Sequence, residues 1–185
     1  MKNYLITDPL VEKADTFAAA AHAAVGQVRK YTAEPYIVHP REVRRILLEF
    51  STEPVTAEQE AAALLHDVVE DTQVSLDLVQ EIFGDAVTVL VEALTDISKP
   101  SDGNRKVRKQ LDLEHTANGP RAAKAIKLAD LISNSKSIVE HDKDFARVYL
   151  YEKERLLAVM QDADSGLLTK AYEVLVESRQ LLTAA

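Results

Sequence analysis

The chain has 185 residues, of which 46% are hydrophobic, and its net charge is −8. This length and composition predict one globular domain with a substantial core. The absence of cysteine excludes disulfides, thiolate metal sites and a cysteine nucleophile, and it fits a cytoplasmic location. The acidic charge makes nucleic acid a poor partner. Because neither a signal-peptide segment nor an apolar run of about 18 residues is present, no membrane association is expected.

Helix signals begin near the N-terminus and follow one another along the first third of the chain. Asp8 and Pro9 form an N-cap and first-turn pair, and the helix that they open is predicted to end near Gly26. Pro40 is predicted to open a second helix. A capping-box pattern at residues 56–59 precedes a third helix.

The rest of the chain continues in the same way. Ser75 is predicted to begin a helix that ends at Gly84. The segment "DAVTVLVEALTDI" has a β-branched middle, but its apolar residues keep helical spacing. Further helices are predicted from Pro120, over 142–162 and over 165–183. Residues 1–185 are therefore predicted to form a single all-α domain, a compact helical bundle of about eight to ten helices.

The segment "AAALLHDVVEDT" combines core residues with a histidine and three acids. Taken as one continuous helix, it pairs His66 with Glu70 and Asp67 with Asp71 along one edge. Most charge runs of this kind are solvated surface. Here, however, acids near the C-terminal end of a helix oppose its macrodipole, and the flanking core residues should half-bury His66 and Asp67. This favours a site that holds a cation.

Two other apolar settings supply further candidate ligands. His39 lies just before Pro40, and Asp130 lies on a largely apolar helix with Asn134 one turn later. Alone, each is more often structural, His39 as a cap and Asp130 as a partner of a nearby lysine. With His66 and Asp67 they complete a set of two histidines and two aspartates. Such a set suits Mn²⁺, Fe²⁺ or Zn²⁺, and leaves positions for a water and a phosphoryl oxygen.

The order His, His-Asp, Asp is the pattern of the HD phosphohydrolase superfamily. The segments "HAAVGQVRKYTAEPYIVHPREV", "AALLHDVVEDT", "FGDAVTVLVEALTD" and "AIKLADLISN" closely resemble the hydrolase domain of the RelA/SpoT alarmone enzymes. They also resemble its stand-alone relatives, the small alarmone hydrolases of the Mesh1 type. The resemblance covers about residues 8–160. It implies an HD-type domain and a hydrolase activity.

The resemblance also implies roles for individual residues. Metal ligation, usually of Mn²⁺, falls to His39, His66, Asp67 and Asp130. Glu70 and Asp71 match an acidic pair that would orient or deprotonate the attacking water and assist the leaving group, and a carboxylate beside another should have a raised pKa. The substrate contacts implied are Arg29, Lys30 and Asn134. Ala33 stands where the family usually has glycine, which leaves the base preference open.

The segment from Lys99 to Lys109 is a local positive island in an acidic protein. One interpretation is a solvated loop that runs into a helix. The other is a mobile lid whose Arg105, Lys106 and Lys109 meet substrate phosphates. Arg147 and Tyr151, four residues apart on a later helix, are further candidate contacts that match positions of Mesh1-type relatives.

Three functions remain open on the sequence. The preferred one is Mn²⁺-dependent hydrolysis of the 3′-diphosphate of guanosine tetra- and pentaphosphate (ppGpp and pppGpp) to GDP or GTP and pyrophosphate. The second keeps the site but acts on adenine alarmones or on the 2′-phosphate of NADPH. The third is a non-catalytic nucleotide-binding protein, against which the intact ligand set argues. Homo-oligomerisation is left open.

Overall fold

The computed structural model describes residues 5–183, which form ten α-helices and one short 3-10 helix. Within this range no strand forms, and an isolated β-bridge joins Val28 to Pro35. The prediction of an all-α bundle of about eight to ten helices is therefore confirmed. The 3-10 helix is Pro100–Asp102, and the α-helices are α1 (Pro9–Ala24), α2 (Val38–Phe50), α3 (Ala57–Leu65), α4 (Val68–Asp71), α5 (Leu76–Phe83), α6 (Asp85–Leu94), α7 (Arg105–Asn118), α8 (Arg121–His141), α9 (Lys143–Val159) and α10 (Ser165–Thr183).

Most helix ends follow the local signals in the sequence. The Asp8 carboxylate accepts the Leu10 N–H at 2.8 Å and so caps α1. Thr56 and Gln59 form the predicted reciprocal capping box of α3. Gly84 ends α5 with a φ of 81°, a conformation that glycine adopts without strain. The predicted start of α2 is wrong by two residues, because the helix already begins at Val38.

The segment "AAALLHDVVEDT" is not one continuous helix, so that prediction is wrong. Helix α3 ends at Leu65 and α4 begins at Val68, while His66 and Asp67 form the turn between them. At Asp67 the backbone leaves ideal helical geometry, with φ −98° and ψ −4°. This turn bends the chain at the two residues that were predicted to bind metal.

Helix α8 lies at the centre of the bundle and packs against α2, α3, α6, α9 and α10. A helix surrounded on most sides is expected to be apolar nearly all round. Accordingly, Ile126, Leu128, Ala129 and Ile132 are buried on it. Asp130 belongs to the same buried stretch, so the fold places a carboxylate in its own core. None of the described helices is long and apolar enough to span a membrane.

The contact between α2 and the start of α10 requires glycine at position 166. A Cβ built there would lie 2.2 Å from the Phe50 carbonyl oxygen, which belongs to the backbone. Gly166→Ala should therefore lower the free energy of unfolding by about 1–3 kcal/mol, as overpacking does. Gly119→Ala, whose Cβ would lie 3.3 Å from its nearest neighbour, is the control. Equal denaturation midpoints for the two variants would contradict this close approach.

Candidate metal centre

Four predicted ligands from three parts of the chain converge in the core. His39 is the second residue of α2, His66 and Asp67 form the turn between α3 and α4, and Asp130 lies on α8. The two histidines are 1% and 2% exposed, and Asp130 is 7% exposed. The ligand atoms of His39, His66 and Asp67 all lie within 4.8 Å of one another.

The distances between these side chains place both carboxylates opposite both imidazoles. His39 Nε2 lies 3.1 Å from Asp130 Oδ1 and 3.7 Å from Asp67 Oδ2. His66 Nε2 lies 3.0 Å from Asp67 Oδ2 and 3.8 Å from Asp130 Oδ1. One small volume is therefore bounded by two ring nitrogens and two carboxylate oxygens.

The hydrogen bonds of the two rings decide which nitrogen carries the proton. His66 Nδ1 lies 2.9 Å from the Ala63 carbonyl oxygen, which only accepts, so Nδ1 is the donor. His39 Nδ1 lies 3.1 Å from the Ser133 hydroxyl, whose own hydrogen goes to Glu42 at 2.8 Å. His39 Nδ1 must therefore donate as well. In the neutral rings both Nε2 atoms carry lone pairs.

The donor set fits a divalent cation. Both Nε2 atoms are buried without a hydrogen-bond partner among the described residues. Buried acceptors that face buried carboxylates are unfavourable unless a proton or a cation lies between them. Burial alone would lower the pKa of His66, but the Asp67 and Asp130 carboxylates raise it to about 9. A cation bound by the four side chains would take the place of that proton, as metal ligation to imidazole requires.

Tyr36 holds Asp67 in this arrangement, and the sequence reasoning did not identify it. Its hydroxyl donates to Asp67 Oδ2 at 2.6 Å. Burial and the Asp67 charge raise the pKa of Tyr36 far above its ordinary value, so the hydroxyl remains a donor. Tyr36 also packs edge-on against the His39 ring, with centroids 5.8 Å apart. Its position three residues before His39, in "EPYIVHP", was the signal available in the sequence.

Glu70 and Asp71 do not act as an adjacent pair in the structure, because they turn to different partners. The Glu70 carboxylate accepts the Asp96 backbone N–H at 2.5 Å. Desolvation there raises the pKa of Glu70 to about 7, and the Asp96 charge adds to the rise. The predicted rise is therefore found, but its neighbouring carboxylate is Asp96. Asp71 is exposed and accepts from Gln27 at 2.8 Å, and Gln27 in turn binds His22.

Lys127, which the sequence offered only as a structural partner of Asp130, also interacts with the carboxylates of Glu70 and Asp96. It lies one turn before Asp130 on α8 and is half-buried. Burial favours its neutral form, yet the charges of Asp130, Asp96 and Glu70 hold the pKa of Lys127 above its ordinary value. The carboxylates of Asp130, Asp96 and Glu70 therefore keep the Lys127 side chain as an ammonium group.

A cleft of about 300 Å³ opens beside Asp130 between α7, α8 and α9, and is called here the α7–α9 cleft. Lys127 and Asn134 line it close to the metal centre, and Asn134 donates to Asp130 Oδ1 at 2.7 Å. Lys153 lies in its wall, where burial lowers the pKa of the ammonium to about 7. The cleft has room for a polar ligand next to the four converging side chains.

The predicted positive island borders this cleft, but its cations are already paired. Arg105 makes two hydrogen bonds to Glu152, at 2.8 and 2.7 Å. Lys109 binds Asp96 at 2.6 Å and Asp112 at 3.3 Å. Carboxylates outside the island therefore neutralise these two cations, and their contact with substrate phosphates stays a prediction. Lys106 is exposed on α7 and does not line the cleft.

A second cleft of about 300 Å³ lies beneath the loop that precedes α2 and is called here the loop cleft. Arg29, Lys30 and Asn134 all line it. Arg29 reaches over the Tyr36 ring, 5.9 Å from the centroid, whereas Lys30 is bound to Asp142 at 3.3 Å. Asn134 lines both clefts, so they meet beside Asp130.

Three further predicted or atypical positions lie around these clefts. Ala33, in the loop, has a φ of 57°, a left-handed conformation that glycine adopts more easily. Arg147 is exposed and pairs with Asp144 at 3.3 Å. Tyr151 is 61% exposed. Arg147 and Tyr151 line neither cleft, so their proposed contact with substrate stays a prediction.

Removing one of the converging side chains should abolish metal retention. In Asp67→Ala or His66→Ala, a ligand is lost and the remaining buried groups no longer surround a cation. Metal content after dialysis against divalent metal, measured by mass spectrometry, should fall to background. His115→Ala is the control, because that half-buried ring lies on α7 and is hydrogen-bonded to the Glu92 carbonyl oxygen of α6. Full metal content in Asp67→Ala would refute the assignment.

Comparison with known proteins identifies the family. A family model described as HD domain matches residues 14–158. The human guanosine-3′,5′-bis(diphosphate) 3′-pyrophosphohydrolase MESH1 is 41% identical over 132 residues, which cover 70% of this chain and 69% of that protein. The GTP pyrophosphokinase of Streptomyces coelicolor is 39% identical over 132 residues, and the match spans only 14% of that longer protein.

A solved structure shares the whole arrangement of helices. It is described as a metazoan ortholog of SpoT that hydrolyzes ppGpp, and it superposes with a TM-score of 0.82 at 28% identity. The superposition covers 96% of this chain and 99% of that chain. With the converging histidines and aspartates and the match to the family model, it follows that the chain belongs to the HD domain family.

Proposed function

We propose that the protein is a metal-dependent hydrolase that removes the 3′-diphosphate of guanosine tetra- and pentaphosphate and releases pyrophosphate with GDP or GTP. The observation that carries the proposal is the convergence of two imidazole Nε2 atoms and two carboxylates beside a cleft. The names of the human relative and of the superposed structure support this substrate. The expected setting is the cytoplasm, without nucleic acid as a partner.

The four converging side chains would hold the cation. Two imidazoles with two carboxylates suit Mn²⁺, which we propose as the resident ion, although other divalent ions fit the same donors. When bound, such an ion supplies a water of lowered pKa and neutralises charge on the phosphoryl group. The tautomers fixed by Ala63 and Ser133 keep both Nε2 lone pairs directed at it.

Glu70 is the proposed proton acceptor for the attacking water. Its pKa of about 7 lets the carboxylate accept a proton near neutral pH, which is where general bases are most effective. The Asp96 N–H orients its carboxylate. Lys127, beside Asp130, would offset the negative charge that the substrate brings to an already acidic site. Asp71 would act more remotely, through Gln27.

Nucleotide contacts are proposed for the residues that line the two clefts. Arg29 and Asn134 face the loop cleft, and we assign them to the nucleoside side of the substrate. Arg105, Lys109 and Lys30 are held in ion pairs, so each would have to exchange a carboxylate for a phosphate. Lys106, Arg147 and Tyr151 would have to move inward to take part.

A nucleotide panel tests the substrate. The full chain, loaded with Mn²⁺, is given guanosine tetraphosphate, the adenosine equivalent and NADPH, and released pyrophosphate and orthophosphate are measured separately. We expect pyrophosphate from the guanosine compound and none after chelation of the metal. Orthophosphate from NADPH alone would show a 2′-phosphatase instead. If protein with full metal content released no product from any nucleotide, the function would instead be that of a non-catalytic nucleotide-binding protein.

Exchanging Glu70 for glutamine separates proton transfer from metal binding. Glu70→Gln keeps the size of the side chain but removes the proton acceptor, so kcat should fall by about 10² to 10⁴-fold. Metal content should stay at the level of the unmodified protein. Glu81→Gln, on the exposed surface of α5, is the matched control and should keep full activity. Loss of metal in step with activity would make Glu70 a ligand or a structural support.

A further inference from the structure

The two histidines of the metal centre are held in different ways. His66 donates its Nδ1 proton to a backbone carbonyl of its own helix, three residues earlier. His39 instead donates to the hydroxyl of Ser133, a residue 94 positions later in the chain. A backbone carbonyl is always an acceptor, whereas a hydroxyl can turn and donate. The orientation of the His39 ring therefore depends on what directs the Ser133 hydroxyl.

Glu42 directs that hydroxyl. The Ser133 Oγ lies 2.8 Å from Glu42 Oε2, and because a carboxylate only accepts, the single hydroxyl hydrogen points to Glu42. The oxygen of Ser133 is then left to accept from His39. Without this carboxylate, the hydroxyl could turn its hydrogen toward His39 and favour the opposite tautomer, in which Nε2 carries a proton and cannot bind a cation.

The hydrogen bonds from His39 through Ser133 to Glu42 also connect helix α2 with helix α8. Glu42 lies three residues after His39 on α2, and Ser133 lies three residues after Asp130 on α8, so each pair shares a helix face. The link from His39 to Ser133 to Glu42 thus connects the two helices that supply one histidine and one aspartate of the metal centre. Ser133 is 2% exposed, while the Glu42 side chain is 35% exposed.

We propose that Ser133 and Glu42 are positioning residues that fix the tautomer and orientation of His39 for metal binding. This inference rests on the proposed metal-dependent function. The second hydrogen bond of a metal-binding histidine typically changes metal affinity by about 10- to 100-fold. Ser133 acts directly on His39, and Glu42 acts only through Ser133. We call this hydrogen-bonded chain from Glu42 through Ser133 to His39 the relay. Because Glu42 acts only through Ser133, the relay differs from simple attraction between Glu42 and the ion.

Core packing holds α2 on α8 without this link. Val43, Ile46 and Leu47 of α2 are fully buried, as are Ile126, Leu128 and Ile132 of α8. Removal of one hydroxyl should therefore change the melting temperature of the metal-free protein little, while it changes affinity for the ion. A role of Ser133 in folding alone would give the reverse result.

The test is equilibrium binding of Mn²⁺ to the full chain, followed by the electron paramagnetic resonance signal of the free ion. Ser133→Ala should raise the Kd by about 10- to 100-fold, and Ser133→Thr, which keeps a hydroxyl, should restore most of the affinity. Glu42→Gln should also raise the Kd, because the amide can donate to Ser133 as well as accept from it and so no longer fixes the direction of the hydroxyl. In the Ser133→Ala background, Glu42→Gln should add nothing, because its route to His39 is already lost.

Two controls match the chemical changes. Ser137→Ala removes a hydroxyl one turn further along α8, and Glu140→Gln removes a carboxylate from the cleft of about 220 Å³ that Glu42 also borders. The Ser133 hydroxyl is bonded to His39 and Glu42 and not to either of these side chains, so both variants should bind Mn²⁺ like the unmodified protein. If Ser133→Ala does not fold, the comparison of Glu42→Gln with Glu140→Gln and of Ser133→Thr with the unmodified protein carries the test.

The outcomes separate the relay from the metal site. Unchanged affinity in Ser133→Ala or in Glu42→Gln would overturn the relay while leaving the metal centre intact. Additive effects in the double variant would overturn it as well, since Glu42 would then act independently of Ser133. Unmodified protein that binds no Mn²⁺ would overturn the metal centre itself, and the relay with it.

Discussion

The structure depends on one constraint: two imidazole lone pairs and two carboxylates face each other inside a hydrophobic core. Water is excluded from His39 and His66, which are 1% and 2% exposed. Such a group is stable only with a positive charge at its centre, because each acceptor has lost its hydrogen bonds to solvent. The turn between α3 and α4, the early start of α2 and the central position of α8 are what bring these atoms together. Each of these features places at least one of the four side chains beside the same small volume.

The charges around the candidate metal centre are arranged in opposed pairs, and this arrangement would let an acidic protein take the proposed anionic substrate. Arg105, Lys109 and Lys30 each lie at a cleft and hold a carboxylate. Substrate phosphates would compete with these carboxylates for cations that are already in position. Exposed pairs such as those of Lys30 and Arg105 contribute little to stability, so their exchange costs little. Lys127 differs, because it interacts with the carboxylates of Asp130, Asp96 and Glu70. Its separation from them would be unfavourable.

The sequence predicted what local chemistry determines. Capping by Asp8, by Thr56 with Gln59 and by Gly84 depends on neighbours within a few residues, and these helix ends are found where the pattern indicated. The convergence of the histidines and aspartates was implied by a family resemblance, since spacing alone does not fix it. Contacts between distant residues could not be predicted. The pairing of Arg105 with Glu152 spans 47 positions and that of Ser133 with Glu42 spans 91, so neither leaves a local pattern. The break at His66 and Asp67 was missed because their apolar neighbours keep helical spacing on both sides of it.

The most direct measurement of the central claim is anomalous X-ray diffraction from crystals of the full chain grown with Mn²⁺, recorded at the manganese absorption edge. We expect one strong anomalous peak in the core, within bonding distance of the Nε2 atoms of His39 and His66 and of carboxylate oxygens of Asp67 and Asp130. A peak coordinated by other side chains, or an ordered core in which His66 is hydrogen-bonded to Asp67 with no anomalous signal between the four residues, would contradict it.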